Sequence, residues 1–445
     1  MESGLVLVLV WILATAAGPV SPDSDLVLVH TGTLLDSLLD LFESGSRSDL
    51  TLRVQTPKRD HVEILSVHTL ILTIHSPVLS HMIQTRKSHD LELTESPETA
   101  QVFSKFIRFL YTGELSLVQQ EALPLHKLAC RFKVSALRRG LSEHMTQSLE
   151  SDWPGPLVIS WLEYAVQMGE VWLRDLCLRA LALNLRLVSA DFVSFSSDLV
   201  LDLVQRSDLV LDSELDLFHA VQTWILTNDP DGLTAESALR AVRYAMIPPQ
   251  DLFRIQAQSR VLERYQESVR DLLFLSFQFH SGSPLTMSRF LDLNCSLFVP
   301  RVYLGPDWGQ AWTLPGPSRD PHSLSVQTQL GPSGSDRTRR VLWNLVYYPR
   351  WRPLSVAPGQ AHTGPWLRTQ GPPQISVSPA SAGPELAGIQ FQKSLLVVGP
   401  RNSIKRLCSF HQSSSEGPEC LRGPDLDQDL LRVHVVIRPV YHSLD

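Results

Sequence analysis

Apolar residues recur at two different spacings along this chain of 445 residues, and the change from one spacing to the other falls near Ser281. Before Ser281, most apolar positions follow the i, i+3, i+4 spacing of helices that bury one face. After it, short runs alternate apolar and polar side chains, as half-buried strands do. The clearest runs are residues 341–347, 389–398 and 431–437. The pattern predicts an α+β chain with a β-rich, sandwich-like C-terminal domain over residues 284–445.

The first predicted helix of the N-terminal part is apolar over a wide face. Thr33 and Asp36 make a capping box at its start, and Gly45 ends it. It carries six apolar side chains, namely Leu34, Leu35, Leu38, Leu39, Leu41 and Phe42. One contact surface within a domain does not require that many, so we expect part of this helix to meet another subunit. The alternative is a helix wholly buried in its own domain.

Strands and short capped helices follow the first helix. The predicted order is a strand at residues 50–54, a strand beginning at residues 62–64, a helix at residues 68–74, a helix capped by Ser76-Pro77 and a longer helix capped by Ser96-Pro97. The longer helix places Val102, Phe103, Phe106, Ile107 and Leu110 on one side and stops at Gly113. This part of the chain therefore mixes helix and strand.

These residues resemble a BTB/POZ domain over residues 26–150. The resemblance rests on Ser48-Asp49-Leu50-Thr51-Leu52, on His68 and Ser76, on Phe106-Ile107-Arg108-Phe109-Leu110-Tyr111-Thr112-Gly113, and on Leu128-Ala129-Cys130-Arg131-Phe132-Lys133-Val134. It implies an α/β fold in which the first helix packs across a two-fold dimer interface. Asp49 matches an aspartate that the family buries near that interface. The resemblance thus implies a homodimer with an interface formed by Leu34, Leu35, Leu38, Leu39, Phe42 and Asp49.

The next segment, residues 155–280, resembles an all-helical BACK domain. The matching residues are Trp161-Leu162-Glu163-Tyr164-Ala165 and the run at 201–211, followed by Glu214, Phe218, Ala220 and Trp224. The helices have independent support, because Ser213 and Asp216 form a capping box ahead of apolar positions at helical spacing. The pentapeptide Ser-Asp-Leu-Val-Leu begins at Ser197 and again at Ser207. We interpret it as two adjacent helix starts, since a repeat array needs at least three units.

The order of these segments resembles the galectin-3-binding-protein-like BTB-BACK proteins. That order is an N-terminal apolar segment, a BTB domain, a BACK domain and a β-rich tail ending in Arg438-Pro439-Val440-Tyr441-His442. Galectin-3-binding protein itself carries a Cys-rich scavenger-receptor module ahead of its BTB domain, and no such module is expected in this chain. Ligand binding attributed to that module is therefore not implied.

The N-terminal residues predict secretion. Residues 5–13 form an unbroken apolar run, and Ala14 and Ala16 supply a cleavage site of the A-x-A type, so residues 1–17 are a predicted signal peptide. The usual basic residues ahead of the run are absent. No second apolar run of about 18 residues follows, so we expect a secreted protein without a stable membrane span. Asn294-Cys295-Ser296 is the single N-x-[ST] sequon, which makes Asn294 a candidate glycosylation site in that compartment.

The charge distribution does not favour a nucleic-acid partner. The formal net charge is −7, and the chain has neither a basic stripe nor a patch of basic residues interleaved with aromatic ones. The short cluster Arg337, Arg339 and Arg340 is interpreted as a solvated turn before a strand. We therefore expect no nucleic acid among the partners.

The five cysteines are too few for a disulfide-stapled scaffold. Cys130 and Cys177 lie in apolar helical patterns, where a free cysteine behaves as a small buried hydrophobic residue. Cys408 and Cys420 enclose a polar stretch that is flexible enough to close, which makes them the one local disulfide candidate, although spacing alone leaves the pairing open.

No motif in the sequence indicates catalysis or a cofactor. Phosphate-binding glycine loops, H-E-x-x-H and G-x-S-x-G are absent. The sequence Gly331-Pro332-Ser333-Gly334 lacks the spacing of a nucleophile turn and is interpreted as a loop. The histidines His61, His68, His75, His81 and His89 do not have the spacing of a metal site on one helix face. We expect no enzyme, no cofactor and no metal.

Two hypotheses for the function remain. The first is a secreted, non-enzymatic homodimer that presents its β-rich C-terminal surface to an unknown extracellular protein. The alternative is an intracellular substrate adaptor of a Cullin-3 ubiquitin ligase, as many BTB-BACK proteins are. The predicted signal peptide opposes the alternative, and so does the absence of a hydrophobic-x-Glu motif within residues 82–93 and of Kelch repeats.

Overall fold

The structure is a computed structural model of the chain. It describes residues 31–58, 62–85, 89–151, 157–185, 190–315, 321–348, 351–353, 366–368, 374–380, 389–399, 402–410 and 430–441. The predicted signal peptide, residues 1–17, lies outside the described residues. The chain divides into two compact units, Met1–Ser142 and Glu143–Asp445.

The first unit combines helices with a small mixed sheet. Its elements are α1 (Thr31–Ser44), β1 (Leu50–Gln55), β2 (Val62–Val67), α2 (Thr69–His75), α3 (Pro77–Thr85), β3 (Asp90–Thr94), α4 (Pro97–Gln101), α5 (Phe103–Thr112), a 3-10 turn (Gln119–Glu121), α6 (Ala122–Arg131) and α7 (Ser135–Ser151), which runs into the second unit. The sheet order is β2-β1-β3, with β2 antiparallel and β3 parallel to β1.

The core of the first unit follows from the predicted apolar positions. Leu52 and Val54 of β1 are fully buried, and Phe103 and Phe106 of α5 pack on Phe132 with ring centroids 5.9 and 5.4 Å apart. Alternation along β1 puts every second side chain on the face that the helices cover. The predicted α/β fold of this part is confirmed.

Two local predictions for this unit are wrong. Thr33 already lies within α1, so it does not cap that helix. The helix predicted to run on from Ser96 is broken at Val102, whose φ of −105° and ψ of 4° separate α4 from α5. The break coincides with the start of the aromatic packing on Phe132, which local helical spacing does not encode. The caps at Ser96 and Ser76, by contrast, are present.

The second unit begins with helices. They are α8 (Leu157–Met168), α9 (Val171–Asn184), α10 (Ala190–Val193), α11 (Ser197–Val204), α12 (Glu214–Asn228), α13 (Gly232–Arg240), a 3-10 turn (Tyr244–Met246), α14 (Pro249–Gln258), α15 (Arg260–Ser281) and α16 (Pro284–Met287). The short strand β4 (Val210–Leu211) interrupts them. Ser213 caps α12 by accepting a hydrogen bond from the N–H of Asp216 at 3.2 Å, which confirms the predicted N-cap.

The repeated pentapeptide does not mark two helix starts. Its first copy lies in α11, whereas its second copy contains β4. β4 pairs in parallel with β5 (Val302–Tyr303), which lies far along the chain. The second copy is therefore extended because of a partner strand that the local sequence does not contain.

The β-rich part of the second unit is a two-sheet sandwich. Its strands are β6 (Gly309–Pro315), β7 (His322–Gln329), β8 (Arg340–Tyr348), β9 (Trp351–Pro353), β10 (Trp366–Arg368), β11 (Gln374–Pro379), β12 (Gln390–Val398), β13 (Ile404–Phe410) and β14 (Leu430–Val440), and a one-turn helix, α17 (Gly334–Arg337), precedes β8. The antiparallel sheets β11-β8-β7 and β13-β12-β14-β6 share one apolar core. Trp343 of β8 meets Phe391 of β12 edge to face at 5.0 Å across it. The predicted sandwich-like tail is confirmed.

A buried ionic cluster joins the helices of the second unit to its β-rich part. The guanidinium of Arg301 lies 3.2 Å from Glu214, which also accepts the hydroxyl of Tyr303 at 2.7 Å and the N–H of Arg243 at 2.9 Å. Arg301 donates further to the carbonyls of Val204 at 2.7 Å and of Ala241 at 2.8 Å. Side chains of Glu214 and Arg301 are at most 1% exposed, and these bonds compensate the loss of their hydration.

Candidate functional site

The first helix presents an apolar face that its own unit leaves open. Leu34 is 60% exposed, and Leu35, Leu38, Leu39, Leu41 and Phe42 are half-buried. Within the described part of the chain, Phe42 is the one member of this set that packs against the buried core of the first unit. The helix is thus not wholly buried in its own domain, which was the alternative weighed from the sequence.

The C-terminal end of α1 is held by backbone geometry. Gly45 has a φ of +60°, the left-handed conformation that suits glycine, and a side-chain carbon there would lie 3.1 Å from Cβ of Ser66 on β2. Phe42 packs against the ring of Tyr111 with centroids 5.2 Å apart. These contacts fix where α1 ends against β2 and α5.

Asp49 supports the neighbouring helix α2. Its carboxylate accepts the N–H of Thr69 at 2.7 Å and the hydroxyl of Thr69 at 2.5 Å, and so caps a helix whose own N-cap residue, His68, makes no such bond. Desolvation raises the pKa of Asp49, but the hydrogen bonds from Thr69 and the nearby His68 outweigh it and leave the pKa lowered. Asp49 itself is exposed in the single chain.

His68 and Tyr111 complete the support of the first helix. The hydroxyl of Tyr111 accepts the backbone N–H of His68 at 2.8 Å and lies 2.8 Å from Nδ1 of the same residue. Nε2 of His68 lies 3.0 Å from the carbonyl of Ser46, which accepts only, so Nε2 carries the proton in the neutral ring. The network ties the segment after α1 to α2 and α5, and gives His68 a positioning role rather than a metal-binding one.

Five further large apolar side chains among the described residues of the first unit are exposed, including Val118, and the sequence did not indicate them. Val62 and Ile64 lie on the edge strand β2, on the same side of that strand as Ser66, and Leu70 and Ile74 lie on α2. The alternation of residues 62 and 64 predicted a strand without indicating which side faces water. Together with the apolar face of α1, these side chains leave apolar area exposed on the surface of the first unit.

The predicted glycosylation site lies on the surface. Asn294 and its neighbours Cys295 and Ser296 are exposed in a turn before β5. The backbone N–H of Asn294 donates to the carboxylate of Asp292 at 2.9 Å. The sequon is therefore accessible, and its modification stays a prediction.

The described cysteines fall into two groups. Cys130, Cys177 and Cys295 form no disulfide, and Cys408 on β13 is disulfide-bonded. Cys420, its predicted partner, lies outside the described residues, so the pairing stays a prediction. Cys177 is fully buried, and desolvation raises the pKa of its thiol to about 12, which makes it a core side chain rather than a nucleophile.

The described residues offer no arrangement that suggests catalysis. Ser333, in the loop that superficially resembles a nucleophile turn, caps α17 by accepting the N–H of Asp336 at 3.3 Å. Among the described residues, no three His, Cys, Asp or Glu side chains are grouped so as to hold a metal ion, and no helix is long and apolar enough to cross a membrane. His61 of the predicted histidine series lies outside those residues.

Three protein-family models match consecutive parts of the chain. They are the BTB/POZ domain at residues 38–149, the BTB And C-terminal Kelch (BACK) domain at residues 158–257 and the BTBD17 TRAF domain at residues 298–416. The first two confirm the resemblances drawn from the sequence. The third covers much of the β-rich tail.

Full-length relatives decide the family. BTB/POZ domain-containing protein 17 of Xenopus tropicalis is 40% identical over 98% of this chain and 97% of its own length, and the protein of the same name in Homo sapiens is 42% identical over 93% of this chain and 90% of its own. The chain belongs to the BTB/POZ domain-containing protein 17 family. This family is more distantly similar to galectin-3-binding protein, of which the Bos taurus protein is 26% identical over 72% of this chain and 57% of its own length.

Membership in the BTB/POZ domain-containing protein 17 family agrees with the organisation of the site. The BTB match contains most of α1, with Leu38, Leu39 and Phe42, and all of the Asp49, His68 and Tyr111 network. The family names denote interaction domains rather than enzymes. A solved structure, the BTB domain of zebrafish PATZ1, aligns at 20% identity and a TM-score of 0.23, which does not by itself establish a shared fold.

Proposed function

We propose that this chain is a secreted, non-enzymatic protein-interaction protein that forms a homodimer through α1 and presents its β-rich tail to an unknown extracellular protein. The observation that carries the proposal is the open apolar face of α1. A partner that covers this face would gain about 25 cal/mol of free energy for each Å² of apolar surface removed from water.

A second copy is the partner that the residues of the first unit favour. Leu34, Leu38 and Leu39 supply the apolar anchors, and Asp49 supplies a polar group near them. In a two-fold dimer the same patch serves both subunits, so one helix face is enough to build the whole interface. Nucleic acid is not among the proposed partners, because the chain has a net charge of −7 and no basic stripe.

Secretion is supported by two independent features of the sequence. Residues 1–17 have the composition of a signal peptide, and the one sequon of the chain, at Asn294, lies in an exposed turn. The disulfide of Cys408 is also the kind of bond that persists outside the cytosol.

The alternative function is that of a Cullin-3 substrate adaptor inside the cell. The consecutive BTB and BACK matches favour it, because many BTB-BACK proteins act in this way. A cytosolic chain would need neither the N-terminal apolar run nor the disulfide, so the adaptor ranks second.

Cross-linking tests the dimer. We would replace Leu34 and Leu38 separately by Cys in a Cys295→Ser background, which removes the exposed free thiol and keeps the sequon as Asn-Ser-Ser. Residues near a two-fold axis face their own copies, so at least one variant should form a disulfide-linked dimer under mild oxidation. Leu233→Cys, at a 78% exposed leucine of α13, is the matched control. If neither helix variant cross-links more than the control, the proposed interface is wrong.

Expression of the full-length chain in animal cells tests the compartment. Recovery from the medium, with a new N-terminus at Ala17 or Gly18 and a mass that falls on enzymatic deglycosylation, supports secretion and a glycan at Asn294. The Asn294→Gln variant should be insensitive to deglycosylation. Retention in the cytosol with Met1 intact would instead favour the adaptor.

A further inference from the structure

His280 lies where the last long helix of the second unit meets the β-rich part. It occupies the final turn of α15 and is only 9% exposed. The backbone of α17 presses against it so closely that a side-chain carbon on Gly334 would lie 2.5 Å from the carbonyl oxygen of His280. Beside it, Phe279 packs on Phe298 at 5.1 Å and on Tyr441 at 6.3 Å. The helix and the β-rich part therefore close over the imidazole.

The charged group that acts on the imidazole of His280 is a cation. The guanidinium of Arg337, on α17, donates to the carbonyl of Met246 at 2.7 Å and to that of Pro332 at 3.0 Å. Both acceptors are neutral, and the two carboxylates whose charge acts on Arg337, Asp307 and Asp251, form their ion pairs with Arg340 and Arg254 instead. This half-buried arginine is the residue that the sequence assigned to a solvated turn. That interpretation is wrong for Arg337, because its side chain joins α17 to the helical part.

Among the described residues, no carboxylate or other group forms a hydrogen bond with either ring nitrogen of His280. The backbone of Ile247 exerts a weaker effect that favours the protonated ring. Tyr441, also buried, has a hydroxyl without a hydrogen-bond partner. Asp336 is the carboxylate whose charge acts on Tyr441, and it is engaged by Arg339 at 3.7 Å and by the hydroxyl of Ser335 at 3.4 Å.

We propose that protonation of His280 is an acid trigger that loosens the contact between α15 and the β-rich part of the second unit. A second ring proton would put two like charges, on His280 and Arg337, into a space closed to water. Separation of α15 from α17 admits water to both groups and relieves that cost. The device is independent of the proposed dimer, since it lies wholly in the second unit.

The burial of His280 fixes the pH range of this device. Desolvation, and after it the charge of Arg337, lower the pKa of His280 to about 4 from an ordinary 6.5, against the weaker opposing effect of the Ile247 carbonyl. In the open form, in which α15 has separated from α17, His280 takes up its proton below pH 6.5. In the closed form it does so only near pH 4, so the closed form loses stability relative to the open form as the pH falls across this window. This difference of about 2.5 units between the two pKa values raises the equilibrium constant for opening by at most about 300-fold, at a pH well below 4.

Urea unfolding of the intact chain at pH 6.5 and at pH 4 measures this constant. Tryptophan fluorescence reports the second unit, because nine of the ten tryptophans lie in it. His280→Asn removes the titrating group, so the ratio of the wild-type opening constant to that of the variant should rise by about 80-fold between the two pH values, because half of the open form is already protonated at pH 6.5 and half of the closed form at pH 4. His219→Asn, at an exposed histidine of α12, is the matched control, and its ratio should change little. An unchanged ratio for His280→Asn overturns the proposal.

A second measurement needs no variant and covers the case in which His280→Asn does not fold. Hydrogen–deuterium exchange at the imidazole C2 carbon of the wild-type chain, read by mass spectrometry, gives the protonation midpoint of each histidine. His280 should titrate near pH 4, well below the range of an ordinary imidazole. A midpoint of about 6.5 for His280 would mean that the contact between α15 and the β-rich part is not weakened by protonation of His280, which contradicts the proposal.

Discussion

The apolar face of α1 and the ionic cluster around Glu214 differ in how completely their side chains are covered by the rest of the chain. Around Glu214, charged side chains are fully enclosed and each is met by partners from the same chain, with Arg301 and Tyr303 on the carboxylate. On α1, apolar side chains are left half-buried or exposed, and Phe42 alone among them joins the core. The first arrangement is complete within one chain, whereas the second leaves apolar area that the proposed partner would cover. The difference separates a structural junction from a proposed interaction surface.

The largest expected effect comes from removing the cation of the buried ion pair between Arg301 and Glu214. Arg301→Met leaves the carboxylate of Glu214 buried without its cation, which should lower the free energy of unfolding of the second unit by about 3–5 kcal/mol. Urea unfolding followed by tryptophan fluorescence measures it. Arg264→Met is the matched control, because its ion pair with Asp229 is exposed and should be worth less than about 1 kcal/mol. Equal losses of unfolding free energy in the two variants would show that the buried ion pair is no more important for stability than an exposed one, against this account.

The next effect compares a core leucine with a leucine of α1. Leu110→Ala, at a fully packed position of α5, should destabilise the first unit by about 2–5 kcal/mol because it leaves a cavity. Leu38→Ala should cost under about 1 kcal/mol within a single chain, since that side chain does not join the core. Hydrogen exchange of the β1 and α5 amides reports both. A large loss for Leu38→Ala in dilute, dissociated protein would show that α1 is a core helix after all.

A smaller effect is expected at the support of the interaction surface. Asp49→Ala removes the cap of α2 and should cost about 0.5–2 kcal/mol, whereas Asp49→Asn keeps an acceptor for the N–H of Thr69 and should cost less. The pKa of Asp49 is lowered in the folded chain, so its contribution is present at neutral pH and is lost as the pH falls through that lowered value, below 3.8. Thermal unfolding at pH 7 and pH 2.5 tests this. A stability difference between wild type and Asp49→Ala that persists unchanged at pH 2.5 would be against it.

Local signals in the sequence were sufficient for much of the fold. The strands β8 and β14 follow from alternation along residues 341–347 and 431–437, and the caps at Ser76 and Ser213 follow from residue types within three positions of each other. The wide apolar face of α1 was also predictable, because it is a property of one helix. Features of this kind depend on neighbours that are close in sequence.

Features that depend on distant partners were not predictable. The second Ser-Asp-Leu-Val-Leu copy is extended because β5 pairs with it, although the same five residues are helical in α11. Arg301 meets Glu214 across 87 positions of the chain, and no spacing rule connects them. The side chain of Arg337 is buried against the helical part because it donates to the carbonyl of Met246, 91 positions away. Tertiary context overrides the local pattern in each of these cases.

The central claim is that α1 completes its burial against a second copy of the chain. Sedimentation equilibrium of the purified full chain tests it most directly, with Leu34→Glu combined with Leu38→Glu as the disrupting variant and Leu233→Glu as the control. The account predicts twice the mass of one chain for the wild type and the control, and the mass of one folded chain for the double variant. A wild-type monomer, or a double variant that keeps the dimer mass, would contradict it.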